Sequence, residues 1–199
     1  GMILWAGQTR GPRAVPGTYR VRMIVEDDST EVQFDLKKDP RLDATIEELN
    51  EQFDFLITLR DDLGRINRAV ERIREVRAQV NAALERAEGT DAHEELVDAS
   101  ADMLERLGEI ERALYQTKNR SRQDPLNFPI RLNNKIAALA STVSIGAARP
   151  TEQSYAVYEE LMAQVRVELD ALEDELAKVP AFNALVADKN VPAVRVESE

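Results

Sequence analysis

The chain has 199 residues, no cysteine, and 37 acidic against 26 basic side chains, a net charge of −11. That length suits one domain, or one domain with a small appendage, and 43% apolar content is near the globular norm. The acidity argues against nucleic acid and anionic membrane surfaces, and the missing cysteine excludes disulfides, thiol catalysis and thiolate metal sites.

The opening Gly1-Met2-Ile3-Leu4-Trp5 has neither a basic n-region nor a small-residue cleavage site, so it does not read as a signal peptide. A Gly before Met reads as an expression scar, and the chain is expected to be a piece of something longer. Met2 to Ala6 can form a strand around Trp5. The breaker-rich stretch Gly11 to Gly17 then reads as a loop. Tyr19, Val21, Met23 and Val25 alternate with polar neighbours, as do Val32, Phe34 and Leu36. Two half-buried strands joined at Asp27-Asp28-Ser29 make a β-hairpin, which needs another surface to lean on because a lone hairpin is marginal in water.

From Thr45 to Ala87 the period changes. Ile46, Leu49, Phe53, Leu56, Leu59, Leu63, Ile66, Val70, Ile73, Val76, Val80, Leu84 and Ala87 recur every three or four residues, the stripe of one long amphipathic helix. Thr45 with Glu48 fits a capping box, and Gly89 suits a left-handed C-terminal cap. A second helix follows from Asp91, capped by Asp91 and Glu94, with Leu96, Met103, Leu107, Ile110 and Leu114 on its stripe and a frayed end near Lys118. A third runs from about Asp124 to Ile145, with Asp124 as N-cap and Pro125 at its first position. A fourth runs from Thr151 to Val179 and stops at Pro180. The fold class is thus mainly α: an antiparallel four-helix bundle with a very long first helix, plus a small N-terminal β element of two or three strands. The expected divisions are a β-hairpin over 1–40, the bundle over 41–180, and a turn and tail over 181–199. Helix lengths put the end of helix four beside the hairpin, where Ala193 to Val196 would add a strand.

Candidate sites are few. The lone histidine, His93, reads as a solvated helix-start residue. Acidic pairs such as Glu47/Glu51 read as solvated faces, since acid–base pairs need burial to split their pKa values. No phosphate-cradling glycine loop and no metal or cofactor motif is present. Arg65, Arg68 and Arg72, with Arg74 and Arg77, form a basic sector that either pairs with neighbouring acids or docks an acidic partner. Asp124, Pro125, Asn127, Phe128 and Pro129, with Asn133 and Asn134, form the densest constellation. It is either a capped turn with Phe128 tucked into the bundle or a recognition loop. Tyr115, Tyr155 and Tyr158 read as core residues with hydrogen-bonded hydroxyls.

Two stretches carry a resemblance. GPRAVPGTYRVRM (residues 11–23) and the strand after it resemble the end of an Ig-like module. YQTKNRSRQDPLNFPIRLNNKIAAL (residues 115–139) with RPTEQSYAVYEEL (residues 149–161) resembles the C-terminal region of bacterial proteins with BNR or sortilin-type β-propeller repeats, which are often labelled glycosyl hydrolases. The resemblance implies an exported, multi-domain parent whose propeller holds any active site, so it transfers no catalytic residue here. The reading is a non-catalytic accessory domain with a structural or protein-interaction role, its partner being the parent's own propeller or another protein. The alternative is a helical bundle that binds a small ligand between its helices; an enzyme ranks last.

Overall fold

The computed structural model describes residues 10–193. It is mainly helical, a bundle with a small antiparallel hairpin at its N-terminal side. Strand β1 (Gly17–Val25) pairs with β2 (Asp28–Leu36), and five helices follow: α1 (Ile46–Ala87), α2 (His93–Leu114), α3 (Leu132–Val143), α4 (Glu152–Leu176) and α5 (Val179–Asp188). The strand proposed over residues 2–6 lies outside the described residues, among which the sheet has two strands.

The 42 residues of α1 make a rod of about 63 Å. It starts on the capping box read from the sequence, with Glu48 N–H donating to Thr45 Oγ1 and Thr45 N–H to Glu48 Oε2. It ends where Gly89 takes φ +75°, a conformation that costs an L side chain about 1–2 kcal/mol. The predicted stripe is the buried one through the rod's centre, where Leu59, Ile66, Val70 and Ile73 are fully enclosed. Phe55, Ala69 and Ala83 are buried as well, one position off the stripe. They widen it because α1 is covered from two sides.

The direction of the covers differs from the simple up-and-down order. Glu111 of α2 meets Arg74 and Arg77, and His93 meets Leu84, so α2 runs back along the second half of α1. Asn133, at the start of α3, bonds Asn67, while the carbonyl of Val143 at its end accepts from Gln52. Hence α3 continues in the direction of α2 and covers the first half of the rod. Helix α4 then runs parallel to α1: Tyr155 bonds Glu51, Tyr158 bonds Asp62, and Glu173 pairs with Arg72. The expected end of the chain is therefore at the wrong pole. Lys189 pairs with Glu95, and Val191 packs on the core, so the chain arrives beside the Gly89 turn rather than the hairpin. Residues 194–196 of the expected tail strand lie outside the described residues. The long link between α2 and α3, residues 115–131, lets α3 go on descending along the rod instead of climbing back.

Several element boundaries also move. Helix α2 starts at His93 without a side-chain cap, Asp91 lying in the preceding turn, and it stops at Leu114 because Tyr115 goes extended (φ −137°, ψ 143°). Pro180 lies in the first turn of α5 rather than merely ending α4, so the stretch 181–186 is helical, with Phe182 buried. The hairpin turn is Glu26-Asp27, one position before the predicted one. Val25 faces Asp28 in a register that also sets Val21 opposite Val32 and Tyr19 opposite Phe34. Two-residue turns suit strand twist, and Glu26 carries the left-handed φ of 53° that this one requires.

Candidate functional site

The turn singled out in the sequence is a structural device of a different kind from the one expected. Asp124 does not cap α3; its Oδ2 accepts from the backbone N–H groups of Arg120 and Ser121, and Oδ1 accepts from the Ser121 hydroxyl at 2.7 Å. These bonds, that of Arg120 foremost, hold its carboxyl below the usual carboxylate range. Pro125 begins a single 3₁₀ turn, Asp124–Leu126, whose end at Asn127 is exposed. Phe128 is half-buried outside the core, with the Lys118 ammonium 5.7 Å from its ring centre. Helix α3 begins only after Pro129, because a residue before proline is held out of the helical region. The Pro129 carbonyl accepts from the buried Gln116 side chain at 2.9 Å. Asn133 and Asn134, 1% and 6% exposed, sit inside the bundle away from the turn's outer face. The constellation therefore splits into an exposed loop and two core asparagines.

The basic sector splits too. Arg65 pairs with Asp62 at 3.4 Å and Arg72 with Glu173 at 2.7 Å, while Arg68 has no ion pair among the described residues. Arg74 and Arg77 both grip Glu111, at 2.7 and 2.8 Å, and Arg74 also lies over the Tyr115 ring. Burial opposes the charge on Arg74, but Glu111 and Tyr115 outweigh it and raise its pKa. The other two tyrosines flank Phe55 with ring centres 4.4 and 5.4 Å away. The Tyr158 hydroxyl donates to Asp62 at 2.8 Å, and burial with that bond pushes its pKa up to about 12. His93 places Nδ1 3.2 Å from the Leu84 carbonyl. Among the described residues no cluster of three or more His, Asp or Glu is arranged to hold a metal.

Two surfaces stand open that were not among the candidate sites of the sequence. The first is one face of the hairpin. Tyr19 and Phe34 stack with centres 5.9 Å apart, and beside them Val21, Met23, Val25 and Val32 are 56–62% exposed. The opposite face carries Arg20 and Arg22, both paired with Glu31. The expectation that these strands are half-buried fails because nothing among the described residues covers the apolar side. Period-two alternation marks a face that prefers cover, but it cannot say whether the cover belongs to the same chain.

The second is a cleft of about 510 Å³ at the base of the hairpin. Its floor is the first half of the α1 stripe, Leu49, Phe53, Leu56 and Leu63, where α3 is too short to cover the rod fully. Ala140, Ser144, Gly146 and Ala147 form one wall, and residues 10–16 with 36–39 form the other. Gln52 reaches across the floor to the Val143 carbonyl at 2.7 Å and so has its polar head satisfied. The half-buried stripe residues were legible in the sequence; the segment that roofs them was not. No protein-family model, curated protein or solved structure matches this chain.

Proposed function

We propose that this chain is a non-catalytic interaction module, the accessory part of a larger exported propeller protein. In this reading the hairpin is the last pair of strands of an Ig-like sandwich, and the preceding part of the parent supplies the strands that cover it. The observation that carries the proposal is the contrast between a closed helical core and an open apolar hairpin face. Twelve large side chains of the bundle are below 2% exposed, whereas the hairpin's apolar row is half in water. At about 25 cal/mol per Å² of apolar area, a ribbon that wide gains several kcal/mol from a matching sheet. The bundle interior is packed with Leu, Ile, Val and Met, which favours a standing support over a ligand held between the helices. Catalysis is assigned to the parent, since no nucleophile, base and acid converge among the described residues.

The test is amide hydrogen exchange on the chain alone and on the same chain extended upstream along its reading frame. Val21, Met23 and Val32 are expected to exchange fast in the chain alone and to gain at least about tenfold protection in the extended protein. Equal protection in both, or an upstream frame that encodes no sheet-forming strands, rejects the reading.

A further inference from the structure

The cleft at the base of the hairpin has a composition unlike the rest of the molecule. In a chain of net charge −11, its lining holds five cations, Arg10, Arg13, Lys37, Lys38 and Arg60, and one carboxylate, Asp39. That carboxylate is already neutralised: Arg41 donates to both its oxygens, at 3.0 and 2.7 Å. Arg60 pairs with Asp61, and the Lys38 ammonium donates to the carbonyls of Leu42 and Ala44. Arg10, Arg13 and Lys37 have no ion pair among the described residues. Below them lie hydrocarbon, the satisfied Gln52 and Ser144, whose hydroxyl donates to the Ser141 carbonyl.

An apolar floor under a rim of unspent cations is complementary to a molecule with a hydrocarbon tail and an anionic head. We propose that the cleft binds such an amphipathic anion, a linear carboxylate of the fatty-acid class. The tail lies along Leu49, Phe53, Leu56 and Leu63, and the head reaches Arg13 and Lys37. About 510 Å³ falls within the span of about 300–1,000 Å³ typical of small-molecule sites. Charge-assisted bonds to a carboxylate are roughly twice as strong as neutral ones, so the rim sets the sign of the ligand. The chain's own residues 1–9 are the rival occupant, being apolar and adjacent to Arg10. They include no acidic side chain, so they leave the cations unanswered. Every lining residue belongs to this chain, so the cleft is complete without a parent protein.

The experiment is isothermal titration of the full chain with decanoate and with decyltrimethylammonium, both below their micelle concentrations. The two share a tail and differ in sign. Attraction to the overall charge favours the cation, whereas the cleft favours the anion. Decanoate is expected to bind at least about tenfold tighter, with NMR shifts at Leu49, Gly146 and Ala147. The double variant R13A/K37A, altered only at exposed positions, is expected to lose about tenfold in decanoate affinity with unchanged melting. Equal or better binding of the cation overturns the proposal. So does an unaffected double variant, a set of shifts confined to the hairpin face, or a chain that binds neither probe because residues 1–9 fill the cleft.

Discussion

Glu111 offers the sharpest test of what holds the long rod to its neighbour. Its side chain is 6% exposed, and Arg74 and Arg77, 45% and 39% exposed, meet it from α1. Replacing Glu111 with Gln keeps the volume, so no cavity forms and the change is electrostatic. Removing one partner of a fully buried ion pair costs about 3–5 kcal/mol. Here the two cations left behind are partly in water and rehydrate, and Gln still accepts one hydrogen bond, which brings the estimate to about 2 kcal/mol. For a chain of this size that is a drop in melting temperature of about 4–8 °C. The control is Glu173→Gln, which breaks the pair to Arg72, 52% and 63% exposed; it is expected to cost no more than about 1 kcal/mol. The measurement is urea unfolding of the three proteins with a shared slope. If Glu111→Gln costs no more than Glu173→Gln, burial is not what gives the clamp its strength.

Two further outcomes follow from the same geometry. The Tyr158 hydroxyl is raised from 10.0 to about 12 by burial and by Asp62. Its stabilising contribution is therefore complete below about pH 10, where the unfolded phenol is still protonated, and is lost as pH rises toward 12. Tyr158→Phe should show a shallower alkaline fall in melting temperature across that window, and an equal fall in both proteins counts against the Asp62 bond. In the turn, Phe128→Ala should cost about 1 kcal/mol or less, since the ring lies outside the core. Ile136→Ala, at a position of 0% exposure, should cost about 2–5 kcal/mol by chemical denaturation; the reverse ranking would return Phe128 to the core.

Much of the fold was legible because its signals are local. Thr45 and Glu48 satisfy each other within one turn, Gly89 ends a helix by its own φ, and the α1 stripe repeats often enough to fix its length. Asp124 misled because a short acid before proline can bond backward as well as forward, and here the N–H groups of Arg120 and Ser121 were nearer. The direction of α3 depended on a contact between Asn133 and Asn67, 66 positions apart, for which no local pattern exists. The cleft was invisible for the same reason. Its cations are scattered from Arg10 to Arg60, and only the folded chain gathers them.

The joints of the bundle are staggered in the way a mason lays courses. Helices α2 and α3 meet end to end on the rod, with residues 115–131 as the mortar between them, and both α1 and α4 run unbroken past that gap. Helices α4 and α5 meet in turn at Ala177–Lys178, and α2 runs unbroken past that one. Each break is therefore spliced by an intact neighbour, with α1 and α4 touching both sides of the first and α2 both sides of the second, so the helices hold together lengthwise through side-to-side packing rather than through their links.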